Sequence, residues 1–162
     1  MTRAVVLAAA NSGAGKTTLT LGLLRALKNR GINVRAAKSG PDYIDPAFHA
    51  VACGHPSINL DAWAMTPAAI CDYATSQQGD LLIVEGAMGV LDAGADNKGS
   101  VADLAQILGV PIVMVLDIAK QAQSAALSLA GLTALRPDIP IAGTILNRAG
   151  SAKHVKMAKG AI

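Results

Sequence analysis

Residues 10–18, Ala10-Asn11-Ser12-Gly13-Ala14-Gly15-Lys16-Thr17-Thr18, set two glycines, a lysine and three hydroxyls between an apolar run and a helical one. That combination suits an oxyanion. Gly13 and Gly15 permit backbone angles that a Cβ resists, so successive N–H groups turn toward one point. A helix opening near Thr17 adds unpaired donors and the positive end of its dipole. Lys16 would reach the β- and γ-phosphates of a nucleotide, and Thr17 would offer its hydroxyl to Mg²⁺. Ser12, Gly13, Ala14, Gly15, Lys16, Thr17 and Thr18 are the expected nucleotide-binding set. Ala10 stands where the strict pattern has its first glycine, and a glycine-rich turn before an ordinary helix is the plainer reading. The strand and helix on either side favour the phosphate loop.

Four further groups carry chemistry. Glu85 ends the run Leu81-Leu82-Ile83-Val84, where a strand-end carboxylate holds Mg²⁺ directly or through water. The other reading is a helix-capping or solvated glutamate. Asp92 follows on a loop with Gly86, Gly89 and Gly94. Lys38 to Pro46, Lys-Ser-Gly-Pro-Asp-Tyr-Ile-Asp-Pro, carries two acids that could bind metal or handle protons. Its lysine could neutralise a phosphate or a carboxylate. Gly40-Pro41-Asp42 is equally a common turn. Asn147, followed by Arg148, could present an amide to a purine edge or simply cap a helix. Asp42, Glu85 and Asp92 are expected to converge on Lys16 with a cation among them. Cys53 and Cys71 lack metal or redox spacing, and His49, His55 and His154 form no recognisable ligand set.

The elements that would position these groups alternate. Apolar runs at about 4–9, 33–38, 80–85, 111–116 and 141–146 read as strands. Helices are expected at about 16–29, from Thr66-Pro67 to about 77, from Ser100 to Gly109, at about 120–135, and from near Ser151. Residues 39–65 read as a long irregular segment. The pattern predicts an α/β fold, a doubly wound and mostly parallel sheet flanked by helices, in one domain over 1–162. Polar residues gather where each apolar run stops, the ligand-binding edge of such a sheet. With 52% apolar and 2% aromatic residues, the core is aliphatic. A net charge of +3 without a basic run or stacking aromatics speaks against nucleic acid. No apolar stretch reaches the ~18–20 residues of a membrane span, and no signal peptide is visible, so cytoplasm is the expected location.

Taken together, residues 11–18, 38–46 and 85–92 resemble the N-terminal synthetase domain of the cobyrinate or hydrogenobyrinate a,c-diamide synthases. Ser57-Ile58-Asn59-Leu60-Asp61-Ala62-Trp63 and Ile145-Leu146-Asn147-Arg148 match as well, so the resemblance spans essentially the whole chain. It implies a P-loop fold of the dethiobiotin synthetase kind and an ATP- and Mg²⁺-dependent amidoligase. Such an enzyme amidates the a and c acetate carboxylates of a corrinoid polycarboxylate through acyl phosphates. It places Asp42, Tyr43, Glu85 and Asp92 at the active centre; joined to the residue reading, the expected catalytic residues are Lys16, Asp42, Tyr43 and Asp92, with Thr17, Glu85 and Asp42 at the metal and Asn147 and Arg148 at the nucleotide. By analogy a homodimer is expected.

The family also carries a C-terminal glutaminase domain with a Gly-x-Cys-x-Gly turn. Val51-Ala52-Cys53-Gly54-His55 lacks that turn, and the chain reads as a truncated product that would take ammonia from the missing domain. Two other readings compete. A partition or division-site ATPase would have a signature lysine where Asn11 stands, and a dethiobiotin synthetase would lack the Gly-Pro-Asp-Tyr-Ile-Asp segment.

Overall fold

The first apolar run becomes the middle of a sheet. In the computed structural model, which describes residues 3–162, β1 (Arg3–Ala9) lies between β4 (Leu81–Glu85) and β5 (Ile112–Asp117). β2 (Val34–Ser39) pairs with the outer side of β4, and β3 (Ile58–Leu60) and β6 (Ile141–Asn147) form the edges. The order is β3-β2-β4-β1-β5-β6, with every pairing parallel.

A parallel sheet needs cover on both faces, and the strand side chains divide accordingly. Val6 and Ala8 face one layer and Leu7 the other. Helices α1 (Lys16–Asn29) and α2 (Asp45–Cys53) lay Leu24, Ala52 and Cys53 against Leu7, Val34, Ala36 and Ile83. The opposite face takes α3 (Pro67–Ser76) and α4 (Val101–Leu108), with Leu132 of α5 (Ala126–Leu135) and Ala158 of α6 (Ala152–Lys159). Thr66 caps α3, and Ser100 and Asp103 form a reciprocal capping box on α4. Among the described residues no helix is long and apolar enough to cross a membrane.

Two stretches differ from the sequence expectation. Residues 39–65 are not irregular throughout, for they contain α2 and β3. Asp42 Oδ1 accepts from the N–H groups of Ile44 and Asp45, so the Gly-Pro-Asp turn feeds directly into α2, and Gly54 at φ 84° ends it. The helix expected from about 120 starts at Ala126, after a 3₁₀ turn at Gln123–Ala125. Asp117 holds the preceding chain in a turn, its carboxylate accepting from Ala119 N–H and its carbonyl from the Gln121 amide.

Candidate phosphate and acceptor site

The phosphate loop closes on its own helix. Gly13 and Gly15 adopt φ 78° and 94°, the latter as the residue that starts α1. Ser12, Gly13, Gly15, Lys16, Thr17 and Thr18 line a cavity of about 350 Å³ with Lys38, Glu85, Gly86, Met88 and Arg148. The Lys16 ammonium is largely buried and donates to the carbonyls of Met88 and Asn11. Burial and the neighbouring Lys38 charge lower its proton affinity, and Glu85 and Asp92 partly offset this. An ammonium held only by carbonyls is poised to move onto a phosphate.

Strand register assembles the second half of the site. Lys38 on β2 lies beside Glu85 on β4, and Leu7 on β1 flanks Glu85 on the other side. Glu85 is wholly buried, where an unpaired carboxylate would cost several kcal/mol. It is not unpaired. Oε1 accepts from Thr17 Oγ1 at 2.5 Å and Lys38 Nζ at 2.9 Å, and Oε2 faces His49 Nε2 at 2.7 Å. Burial raises the Glu85 pKa, yet the bonds from His49, Thr17 and Lys38 hold it at about 2. Lys38 shows the converse: burial opposes its charge, but Asp45 and Glu85 outweigh that and raise its pKa.

The acids distribute themselves differently from the expected ring around Lys16. Glu85, Asp45 and Asp42 gather on Lys38, with Asp42 Oδ2 at 3.9 Å. Beside Thr17, Asp45 joins Glu85, its Oδ2 lying 3.5 Å from Oγ1. Asp42 is turned to its own backbone through the two N–H groups at the start of α2. Tyr43 is 90% exposed. Asp92 accepts from Gly89 N–H and lines a second cavity, of about 570 Å³, with Trp63, Met88, Asp61, Lys98 and neighbouring loop residues. Met88 is common to both cavities and holds φ at 50°.

The amide expected to read a purine edge is turned to the phosphate loop: Asn147 Nδ2 donates to Ala14 O at 2.8 Å. Arg148 pairs with Asp117 at 2.5 Å and joins the phosphate cavity to a polar one of about 540 Å³ lined by Asn11, Asp117, Lys120 and Gln121. His49 is the residue the sequence left out. Its partner Glu85 lies 36 positions away, so no local spacing announces the pair.

Mg²⁺ takes hard oxygen ligands, keeps several waters, and needs only one or two protein groups beside phosphate oxygens. Thr17 Oγ1 and Glu85 Oε1, 2.5 Å apart at the mouth of the loop, fit that requirement. Among the described residues no cluster of three or more His, Cys, Asp or Glu side chains could hold a metal by itself.

A parallel sheet with a phosphate loop after its central strand defines a P-loop nucleotide-binding protein. The likeness to solved P-loop structures is one of fold. Signal recognition particle 54 kDa protein from Aeropyrum pernix K1 superposes with TM-score 0.65 at 16% identity, over 99% of this chain and 39% of that one. Chloroplast FtsY from Physcomitrella patens gives 0.64 at 16%, over 90% and 50%. Residues 5–162 match the CobQ/CobB/MinD/ParA nucleotide binding domain, and the chain belongs to that family. Curated relatives named hydrogenobyrinate a,c-diamide synthase are 50% identical in Brucella anthropi, over 97% of this chain and 37% of that one, and 47% in Mesorhizobium japonicum, over 99% and 38%. The relative of the same name in Rhizobium meliloti is 46% identical over 98% and 37%. The chain thus spans under two-fifths of the length of these relatives.

Proposed function

We propose that this chain is the ATP-dependent synthetase part of a hydrogenobyrinate a,c-diamide synthase, amidating acetate carboxylates of a corrinoid in cobalamin biosynthesis. The observation that carries the reading is the shared Met88 wall between a phosphate cavity and a larger, Trp63-lined cavity. A carboxylate entering from the second would meet the γ-phosphate in the first. The relatives' names supply the acceptor class.

The N–H groups of the loop and Lys16 bind the triphosphate and neutralise the charge that develops on it. Thr17 and Glu85 would hold Mg²⁺, which would supply positive charge to offset that of the phosphate oxygens. A carboxylate oxygen of the acceptor attacks the γ-phosphorus, and ADP leaves. Ammonia then attacks the acyl carbon, loses a proton, and inorganic phosphate departs with the bridging oxygen. Asp92, on the acceptor side of Met88, is placed to take that proton or orient the ammonia. Asp42 and Tyr43 lie on the exposed turn before α2, where they would contact a bulky acceptor from outside. Glutamine is the expected ultimate nitrogen source in the longer enzyme, a homodimer in the cytoplasm the expected setting, and neither nucleic acid nor membrane an expected partner.

The test uses an ¹⁸O-labelled corrinoid carboxylate with ATP, Mg²⁺ and ammonia. One label should appear in inorganic phosphate for each amide formed. Amide formation with no label in phosphate would refute the acyl-phosphate route. Labelled phosphate and a cyclic urea formed from the carbamate of a diamine in place of the corrinoid would favour the dethiobiotin-type reading.

A further inference from the structure

Glu85 divides its two oxygens between two jobs. Oε1 faces Thr17 and the phosphate cavity, whereas Oε2 points back between the sheet and α2, where it meets His49. Both His49 and Glu85 are completely buried, so no water replaces a lost partner. An ionised carboxylate accepts, so His49 Nε2 carries a proton and donates. The other ring nitrogen faces Ser57 Oγ at 3.3 Å, and Ser57 in turn donates to the Ala36 carbonyl on β2. A chain of contacts therefore runs from the β2 backbone through Ser57 and His49 to Glu85 and Thr17. Asp45 and His49, four residues apart on α2, share the helix face that delivers one group to Lys38 and the other to Glu85.

We infer that His49 is a positioning residue that sets the rotation of the Glu85 carboxylate, and through it the Mg²⁺-dependent part of nucleotide binding. Without the donor on Oε2, that oxygen would be left buried and bare, and the carboxylate would turn toward Lys38. Oε1 would then leave the geometry it shares with Thr17. His49 lines neither the phosphate cavity nor the larger one, and it acts through Glu85. The inference rests on the assignment of Thr17 and Glu85 to Mg²⁺.

The test is calorimetric titration of ATP into the protein with Mg²⁺ and, separately, with EDTA. Wild type should bind more tightly with Mg²⁺. His49→Leu keeps the volume and removes the donor. It should lose most of that gain, about tenfold in Kd, with less than a threefold change in EDTA. His49→Gln restores an N–H near the position of Nε2 and should recover most of the gain. A packing role alone would lower Tm in both variants without separating them in their response to Mg²⁺. His49→Leu with the full Mg²⁺ gain would overturn the inference, as would His49→Gln behaving like His49→Leu. If His49→Leu does not fold, His49→Gln and Ser57→Ala decide. Both should fold, with the gain kept largely in the first and reduced in the second, and equal gains in Ser57→Ala and wild type would refute it. A wild type with no Mg²⁺ gain would instead refute the metal assignment itself.

Discussion

Gly15→Ala together with Asn147→Ala offers a quantitative test of how the phosphate loop is held. Gly15 sits at φ 94°, where a side chain costs about 1–2 kcal/mol. A Cβ there would also lie 2.3 Å from Asn147 Nδ2, so the amide must leave its bond to Ala14 O. Ala14 is buried, and a carbonyl stripped of its donor there costs about 1–3 kcal/mol. Gly15→Ala should then destabilise the fold by about 2–5 kcal/mol. Asn147→Ala alone forfeits only the bond, about 1–3 kcal/mol. Because both single changes break the same contact, the double variant should cost no more than Gly15→Ala by itself. Urea unfolding of the four proteins measures the cycle. The expected interaction energy is about 1–3 kcal/mol in favour of the double variant, and simple additivity within about 0.5 kcal/mol would refute the account.

The buried carboxylate predicts the acid behaviour. Glu85 has its folded pKa depressed from 4.5 to about 2, so its contribution is complete above about pH 4.5 and disappears as the pH falls toward 2. Glu85→Gln should flatten that limb of the stability profile, read from urea midpoints between pH 5 and pH 2.5, and an unchanged slope would refute the assignment. Trp63 is the only tryptophan and lines the larger cavity, so its emission should be quenched on titration with a corrinoid polycarboxylate in the presence of ATP. Quenching that is equal when the loop is blocked by a bulky substitution at Gly94 would count against that cavity as the acceptor site.

The outline of the site was legible because its parts announce themselves locally. Gly13, Gly15, Lys16 and Thr17 are contiguous, and Glu85 stands at the end of an uninterrupted apolar strand. The Ser100 and Thr66 caps were legible for the same reason. What escaped depends on register. Lys38 becomes the hub of the acids because β2 and β4 align it with Glu85, an alignment that spacing along the chain does not display. β3 has three residues, too few for a periodic signal, and α2 (Asp45–Cys53) is preceded by Ile44, whose side chain offers no cap to mark the start. The sequence offers Asn147 as a purine-facing or helix-capping amide and not as a brace for the loop, because Ala14 lies 133 residues earlier.

That last separation governs when the site comes into being. β1 precedes both of its neighbours along the chain, and they arrive only with residues 81 and 112, so it waits unpaired until then. The phosphate loop waits longer still, until residue 147 has emerged to fasten Ala14. Pairings so distant along the chain form late, after the loops between them have been closed against their entropy. On a ribosome, a nascent chain stopped before β6 would hold every residue of residues 11–18 and still lack the brace that fixes their shape. Nucleotide affinity should therefore switch on only once residue 147 has emerged, not when the signature sequence first leaves the tunnel.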